Sequence, residues 1–222
     1  MAGWGELIFG SMYSGKSEEL IRRLKRAQYG GQQYKLFKPE LDNRYSNNKV
    51  VTHENNDITQ NVNDVLESHL DSKVKKHLVQ RITENLSGSL VAHSVKNAEE
   101  ILDLTRDNID VVGIDEVQFF DEDLIKVIDK LIKKDIRVIM AGLDLYSSEE
   151  PFGIVPKLAC KTKYVDKLHA VCVDCGENAY ISHKIDNNND NKKSNIDVGS
   201  TGKYIPLCKT CREKRLKNEK TT

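Results

Sequence analysis

Residues 10–17 read GSMYSGKS, and no other stretch of the 222-residue chain restricts its fold as strongly. The segment fits G-x-x-x-x-G-K-[ST]. The short apolar run GELIFG precedes it. The EELIRRLKR that follows belongs to a segment placing Leu20, Ile21, Leu24 and Ala27 on one helical face. A glycine-bounded loop between a buried strand and an amphipathic helix must curl with its backbone N–H groups pointing inward. That makes a cradle for phosphate oxygens at a helix N-terminus. On this reading Gly10, Ser11, Met12, Tyr13, Ser14, Gly15, Lys16 and Ser17 bind a nucleotide. Lys16 reaches the β- and γ-phosphates, and the Ser17 hydroxyl ligates Mg²⁺. A chance glycine turn would account for the pattern but not for its setting.

The flanking segments repeat the same alternation. QYKLFK, closed by Pro39, reads as a second strand and SLVAHS as a third, followed by a helix through Ala98, Ile101, Leu102 and Thr105. VVGID is a fourth strand, with a helix through Leu124, Ile125, Ile128 and Leu131 after it, and IRVIMAG is a fifth. Short, fully apolar strands separated by helices predict an α/β fold: a P-loop NTPase-like parallel sheet with flanking helices. Residues 1–163 are expected to form this nucleotide-binding domain. Residues 164–222, with short strands and paired cysteines, are expected to form a small zinc-binding lasso domain. The polar excursion at 66–89 interrupts the alternation. The tract DNNNDNKKSN, residues 186–195, is too polar to bury itself and predicts a mobile loop.

A P-loop requires an acidic partner at the end of a neighbouring strand, near the metal. GIDEVQFF supplies Asp115, directly after the apolar VVGI. Glu116 sits where ligands bind in open α/β sheets, at the carboxyl end of a strand. It has three readings: general base for a phosphoryl acceptor, positioner of a hydrolytic water, or solvated strand-end residue.

Five cysteines are an odd number, and four of them form Cys172-x-x-Cys175 and Cys208-x-x-Cys211. In a chain whose opening residues carry no export signal, paired C-x-x-C knuckles about thirty residues apart suggest a closed, structural zinc site. Disulfides, a dithiol switch or a nucleic-acid-binding knuckle are the alternatives. Zinc would pin both ends of the segment 176–207, tethering a long loop at its base. Lys209, Arg212 and Lys214 are expected to favour the thiolates, and the remaining Cys160 to be a small buried apolar residue. Lys plus Arg number 34 and Asp plus Glu 34. This balance gives no bulk attraction to nucleic acid or to an acidic membrane surface. No apolar run is long enough to span a bilayer, so neither nucleic acid nor membrane is an expected partner.

These motifs taken together resemble the cytosolic-type thymidine kinases, the P-loop-and-zinc family. GSMYSGKSEELIRRLKR, FKPELDNRYS, VVTH, GIDEVQFF, AGLDL, PFG, LHAVCVDCG and the terminal Y-x-x-x-C-x-x-C follow the family's order over nearly the whole chain. The resemblance implies transfer of the γ-phosphoryl of ATP to the 5′-hydroxyl of thymidine or deoxyuridine, in the cytoplasm, by a homotetramer. It implies Glu116 as catalytic base, Asp115 and Ser17 at Mg²⁺, and Gln118 on the nucleotide side. Arg44 would steady the transferred phosphoryl, and Asp42 would support the metal shell. The nucleoside pocket it implies takes Met12, Phe119, Leu143, Phe152 and Tyr204, with Val198 and Gly199 of the lasso meeting the base. Three departures stand out: Ser147 where the family carries phenylalanine, with Tyr146 as a substitute; the longer 66–89 excursion; and the Asn-rich extension of the lasso.

Overall fold

The structure is a computed structural model that describes residues 2–40, 49–50, 90–105, 108–185 and 203–219. Its centre is a six-stranded sheet in the order β5-β2-β6-β7-β1-β8, every neighbouring pair parallel. The strands are β1 (Gly5–Gly10), β2 (Tyr34–Pro39), β5 (His93–Val95), β6 (Val111–Ile114), β7 (Arg137–Leu143) and β8 (Tyr164–Leu168).

Side-chain alternation along these strands feeds two cores. Leu7, Val112, Ile114, Val138 and Met140 point to one face, where they meet α2 (Glu99–Leu104), α3 (Asp123–Lys133) and α4 (Val155–Lys161) through Ile101, Leu124, Leu131, Val155 and Leu158. Ile8, Leu36, Val111, Ile139 and Ala141 point to the other face, where α1 (Lys16–Tyr29) lays Leu20, Ile21, Leu24 and Ala27. Helices on both faces explain why these strands read as continuous apolar runs. The fold class is the expected one: a P-loop NTPase-like parallel sheet with flanking helices and a cluster of four cysteines beside it.

Two expectations need correction. SLVAHS does not make one strand. Leu90–Val91 (β4) pairs antiparallel with Lys49–Val50 (β3), and only β5 joins the main sheet. A period-two pattern cannot show that the chain changes partners at Ala92. Cys160 is exposed, not buried: α4 turns Val155 and Leu158 inward, and position 160 falls off that face. The division expected after residue 163 falls immediately before β8, which pairs with β1 along its full length.

Beyond β8 the chain forms β9 (Ala170–Val171), β10 (Asn178–Ala179), β11 (Ile181–Lys184), β12 (Tyr204–Leu207) and α5 (Lys209–Glu219). β9 pairs with β10 and β11 with β12, around a small core of Ala170, Cys172, Ala179, Leu207 and Cys211. Arg44, Asp42, Val198, Gly199, the 66–89 excursion and the Asn-rich tract lie outside the described residues.

Candidate active site

The loop from Gly10 to Ser17 leaves β1 and enters α1 as the motif requires. A Cβ on Gly10 would stand 2.2 Å from the Leu168 carbonyl oxygen of the adjacent β8, so only glycine lets the two strands run this close. Tyr13 and Gly15 both adopt positive φ, 64° and 81°, which curls the backbone between them. Lys16 Nζ donates to the Ser11 carbonyl at 2.7 Å, and Ser14 Oγ donates to the same oxygen at 2.8 Å.

Parallel pairing carries β6 to the same rim of the sheet, with β7 between it and β1. There the Ser17 hydroxyl donates to Asp115 Oδ2 at 3.1 Å. Asp115 is 5% exposed, and its Oδ1 accepts the Glu116 N–H at 2.9 Å. A hydroxyl and a carboxylate converging from separate elements offer the hard oxygen donors that Mg²⁺ takes beside substrate phosphates. Glu116 follows in the left-handed region, φ 53° and ψ 43°. That conformation costs a residue with a side chain about 1–2 kcal/mol, so the surroundings must hold it.

Gln118 is part of what holds it. Its side chain is buried, its Nε2 donates to Glu116 Oε2, and its Oε1 accepts the Leu143 N–H at 3.0 Å. Expected on the nucleotide side, Gln118 is placed by the structure as a strut between Glu116 and the end of β7. Gly142 makes room for it: a Cβ there would meet Gln118 Oε1 at 2.7 Å.

Beside the strut stand three aromatic rings. Phe119 meets Phe152 edge-on with centroids 5.8 Å apart, and Tyr146 stacks on Phe152 at 3.8 Å and 27°. Phe119 and Phe152, two of the residues that the family resemblance assigns to one pocket, are thus in contact, and Tyr146 supplies a ring in the stretch that carries Ser147. Leu143, Met12 and Tyr204 are half-buried. Leu143 touches the Gln118 strut, and Tyr204 lies on β12 in register with Lys184.

The small cysteine-bearing unit is fastened directly to the P-loop. The Met12 N–H donates to Ser182 Oγ at 2.9 Å, and Ser11 Oγ donates to the Ala179 carbonyl at 3.3 Å. Nothing in the composition of AYISHK marks these residues, because the contact spans some 170 positions of sequence. β11 and β12 pair with Lys184 opposite Tyr204, so the chain enters and leaves residues 186–202 from adjacent strand ends.

The sulfur atoms of Cys172, Cys175, Cys208 and Cys211 all lie within 4.8 Å of one another, with Cys175 and Cys208 at 3.7 Å. Four thiolates around tetrahedral Zn²⁺, each with Zn–S about 2.3 Å, stand about 3.8 Å apart, so the donor set fits that ion. Burial would raise the Cys172 thiol, but backbone groups of Cys208, Asp174 and Cys175 outweigh it and hold the thiol down at about 6. Cys211, facing Cys175 and Cys208, is pushed up to about 12. Sulfurs this close cannot all ionise without a cation among them. Lys209 and Arg212, expected to favour the thiolates, point elsewhere: both pair with Glu149.

The Thymidine kinase family model matches residues 3–84 and 64–212. The chain is 38% identical over 215 residues to a thymidine kinase of Bacteroides fragilis strain YCH46, covering 97% of this chain and 89% of that protein. It is 39% identical over 206 residues to a thymidine kinase of Bacteroides thetaiotaomicron, covering 93% and 85%. Among solved structures it overlays domain III of the Thermotoga maritima replication initiation protein DnaA at 14% identity and a TM-score of 0.38, covering 74% of this chain and 54% of that one.

Proposed function

Because the chain belongs to the thymidine kinase family, we propose that it transfers the γ-phosphoryl of ATP to the 5′-hydroxyl of thymidine or deoxyuridine. The observation that carries the reading is one junction. Ser17 and Asp115 meet at 3.1 Å, Glu116 follows Asp115, and Gln118 ties that carboxylate to the strand end bearing Leu143. Phosphate-side and nucleoside-side residues thus share a rim of the sheet.

In this account the backbone amides of residues 13–17 and the Lys16 ammonium hold the triphosphate. Ser17 and Asp115 would hold Mg²⁺, which when bound draws charge from the phosphate oxygens. Glu116 accepts the proton of the 5′-hydroxyl as that oxygen attacks phosphorus and the bond to the ADP oxygen breaks. The proton then passes to solvent. Arg44 steadies the transferred phosphoryl, and Asp42 supports the metal.

Thymine enters a slot lined by Met12, Phe119, Leu143, Phe152 and Tyr204. Its edge is read by backbone groups around Val198 and Gly199. Backbone partners matched to thymine reject cytosine, whose 4-amino group brings a donor where thymine brings an acceptor.

Zinc held by Cys172, Cys175, Cys208 and Cys211 is structural in this reading. The family resemblance supports a cytoplasmic homotetramer. Among the described residues, no helix is long and apolar enough to cross a membrane.

A panel of nucleosides with Mg-ATP tests the reading. Phosphorylation of thymidine and deoxyuridine, with deoxycytidine and purine nucleosides inert, is the expected result. ATP consumption indifferent to any nucleoside refutes it.

A further inference from the structure

We propose that the helix at the cysteine site fixes the aromatic wall of the nucleoside slot through a clamp on the β7–α4 loop, with Arg212 and Glu149 as positioning residues for substrate binding. The inference rests on the nucleoside reading above and adds to it a second link between the metal centre and the substrate, separate from the lasso.

The loop from Asp144 to Phe152 folds back on itself. Phe152 N–H donates to the Asp144 carbonyl at 2.8 Å, Leu145 bridges Pro151, and Tyr146 N–H donates to the Glu150 carbonyl at 2.9 Å. At the tip, Glu149 N–H donates to the Tyr146 carbonyl at 3.0 Å, and Glu149 takes a left-handed φ of 72°. Such a turn in a residue with a side chain persists where its surroundings impose it.

α5 supplies those surroundings. Arg212 donates through Nη1 to Glu149 Oε1 and through Nη2 to the Ser147 carbonyl at 2.8 Å. Lys209 Nζ donates to both Glu149 oxygens, at 2.9 and 2.7 Å. The Arg212 side chain is only 12% exposed, and that of Glu149 23%, so the pair is sheltered from the screening that weakens surface ion pairs. One planar guanidinium thus holds both a side chain and a main-chain oxygen of the same turn, a geometry that lysine cannot reproduce.

Arg212 follows Cys211 and Lys209 follows Cys208, so the clamp is built from the helix that the cysteine cluster anchors. On its other side the turn carries Tyr146, stacked on Phe152, which meets Phe119 edge-on. Ser147 in this chain gives no ring but gives its carbonyl to Arg212, and the adjacent Tyr146 supplies the ring. The chain of contact therefore runs from the cysteines through α5, Arg212 and the turn to the Tyr146–Phe152–Phe119 wall.

The test uses the full-length, zinc-loaded protein, four single variants, Glu149→Ala, Arg212→Ala, Arg212→Lys and Tyr146→Ala, and the double variant joining Glu149→Ala to Tyr146→Ala. Glu149→Ala and Arg212→Ala should raise the thymidine KM about tenfold, the scale of one lost charge-assisted hydrogen bond. The ATP KM and the zinc content should stay at wild-type values, and Arg212→Lys should recover only part of the loss. Glu149→Ala combined with Tyr146→Ala should be no worse than Tyr146→Ala alone, because both act through one wall.

An unchanged thymidine KM in Glu149→Ala, a parallel rise in both KM values, or additive losses in the double variant would each overturn the proposal. Should Arg212→Ala fail to fold beside Cys211, Glu149→Ala tests the same contact from the loop side. Should wild-type protein not phosphorylate thymidine, the functional reading falls. The clamp is then decided by near-ultraviolet circular dichroism: Glu149→Ala must lose the aromatic signal that Tyr146→Ala loses, and retention refutes it.

Discussion

Gln118→Glu isolates what the strut does for the base. The new carboxylate keeps an oxygen where Oε1 now accepts the Leu143 N–H, so that buried donor stays paired. What changes is the other end. Nε2, which donates to Glu116 Oε2, becomes an oxygen facing an oxygen. Two carboxylates at hydrogen-bond separation repel by about 5 kcal/mol at an effective dielectric of 20. That repulsion has two outlets. The pair retains one proton, or Glu116 swings off its present position. Either one removes a general base that is worth about 10²–10⁴-fold in rate. The expected result is a fall in kcat on the order of 10²-fold or more, with the ATP KM held within about threefold, since the phosphate cradle is untouched. The melting temperature should move less than in Gln118→Leu, which also strands the Leu143 N–H at a cost of about 1–3 kcal/mol. Steady-state kinetics with thymidine and ATP varied separately, together with thermal melts, would decide it. A wild-type kcat in a folded Gln118→Glu protein would refute the strut, and with it the positioning of Glu116.

Two further predictions concern the frame. Glu6, with its side chain 8% exposed, accepts from Trp4 Nε1, from Arg137 Nε and Nη2, and from Arg23 Nη1. Glu6→Gln should cost about 2 kcal/mol at neutral pH, below the 3–5 kcal/mol of a fully buried pair because both guanidinium groups keep some solvent contact. Burial would raise the Glu6 carboxyl, but Arg137, Trp4 and Arg23 together hold it below its usual 4.5. Arg22, with help from Arg23, holds Glu19 down at about 2. Carboxyls depressed in the folded state contribute stability above about 4.5 and lose it as pH falls towards their folded values. Denaturant midpoints should therefore show the Glu6→Gln difference narrowing from pH 7 to pH 3, and a constant difference would remove Glu6 from the network. Zinc removal by a chelator, or Cys208→Ser, should raise the thymidine KM more than the ATP KM. Equal rises would mean that losing the site unfolds the P-loop attachments at Ser182 and Ala179 as well.

The readable part of this protein is the part whose physics is local. β1, the phosphate loop and α1 were plain because a strand end, a glycine-bounded curl and an amphipathic face occupy consecutive residues. The meeting of Asp115 with Ser17 is legible from the same strand-end logic, and the cysteine cluster from paired knuckles. β8 escaped because YVDKL is an exposed edge strand, Tyr164 and Val165 being 50% and 43% exposed, and it has no apolar run to announce it. The split at Ala92 escaped because pairing partners are not written in a strand's own pattern. Arg212 and Lys209 stand beside cysteines in the sequence, whereas helical geometry aims them at Glu149, some 60 residues away. Ser182 reaches Met12 across an even longer separation. Each of these contacts depends on two elements meeting in space, which a single segment cannot encode.

The most direct measurement of the central claim compares Glu116→Gln with the parent protein in thymidine-dependent turnover and in ATP binding. Nucleotide affinity preserved alongside a kcat lowered by about 10²–10⁴-fold is the predicted result. Unchanged turnover in Glu116→Gln would contradict the assignment of that carboxylate as the group that takes the 5′-hydroxyl proton.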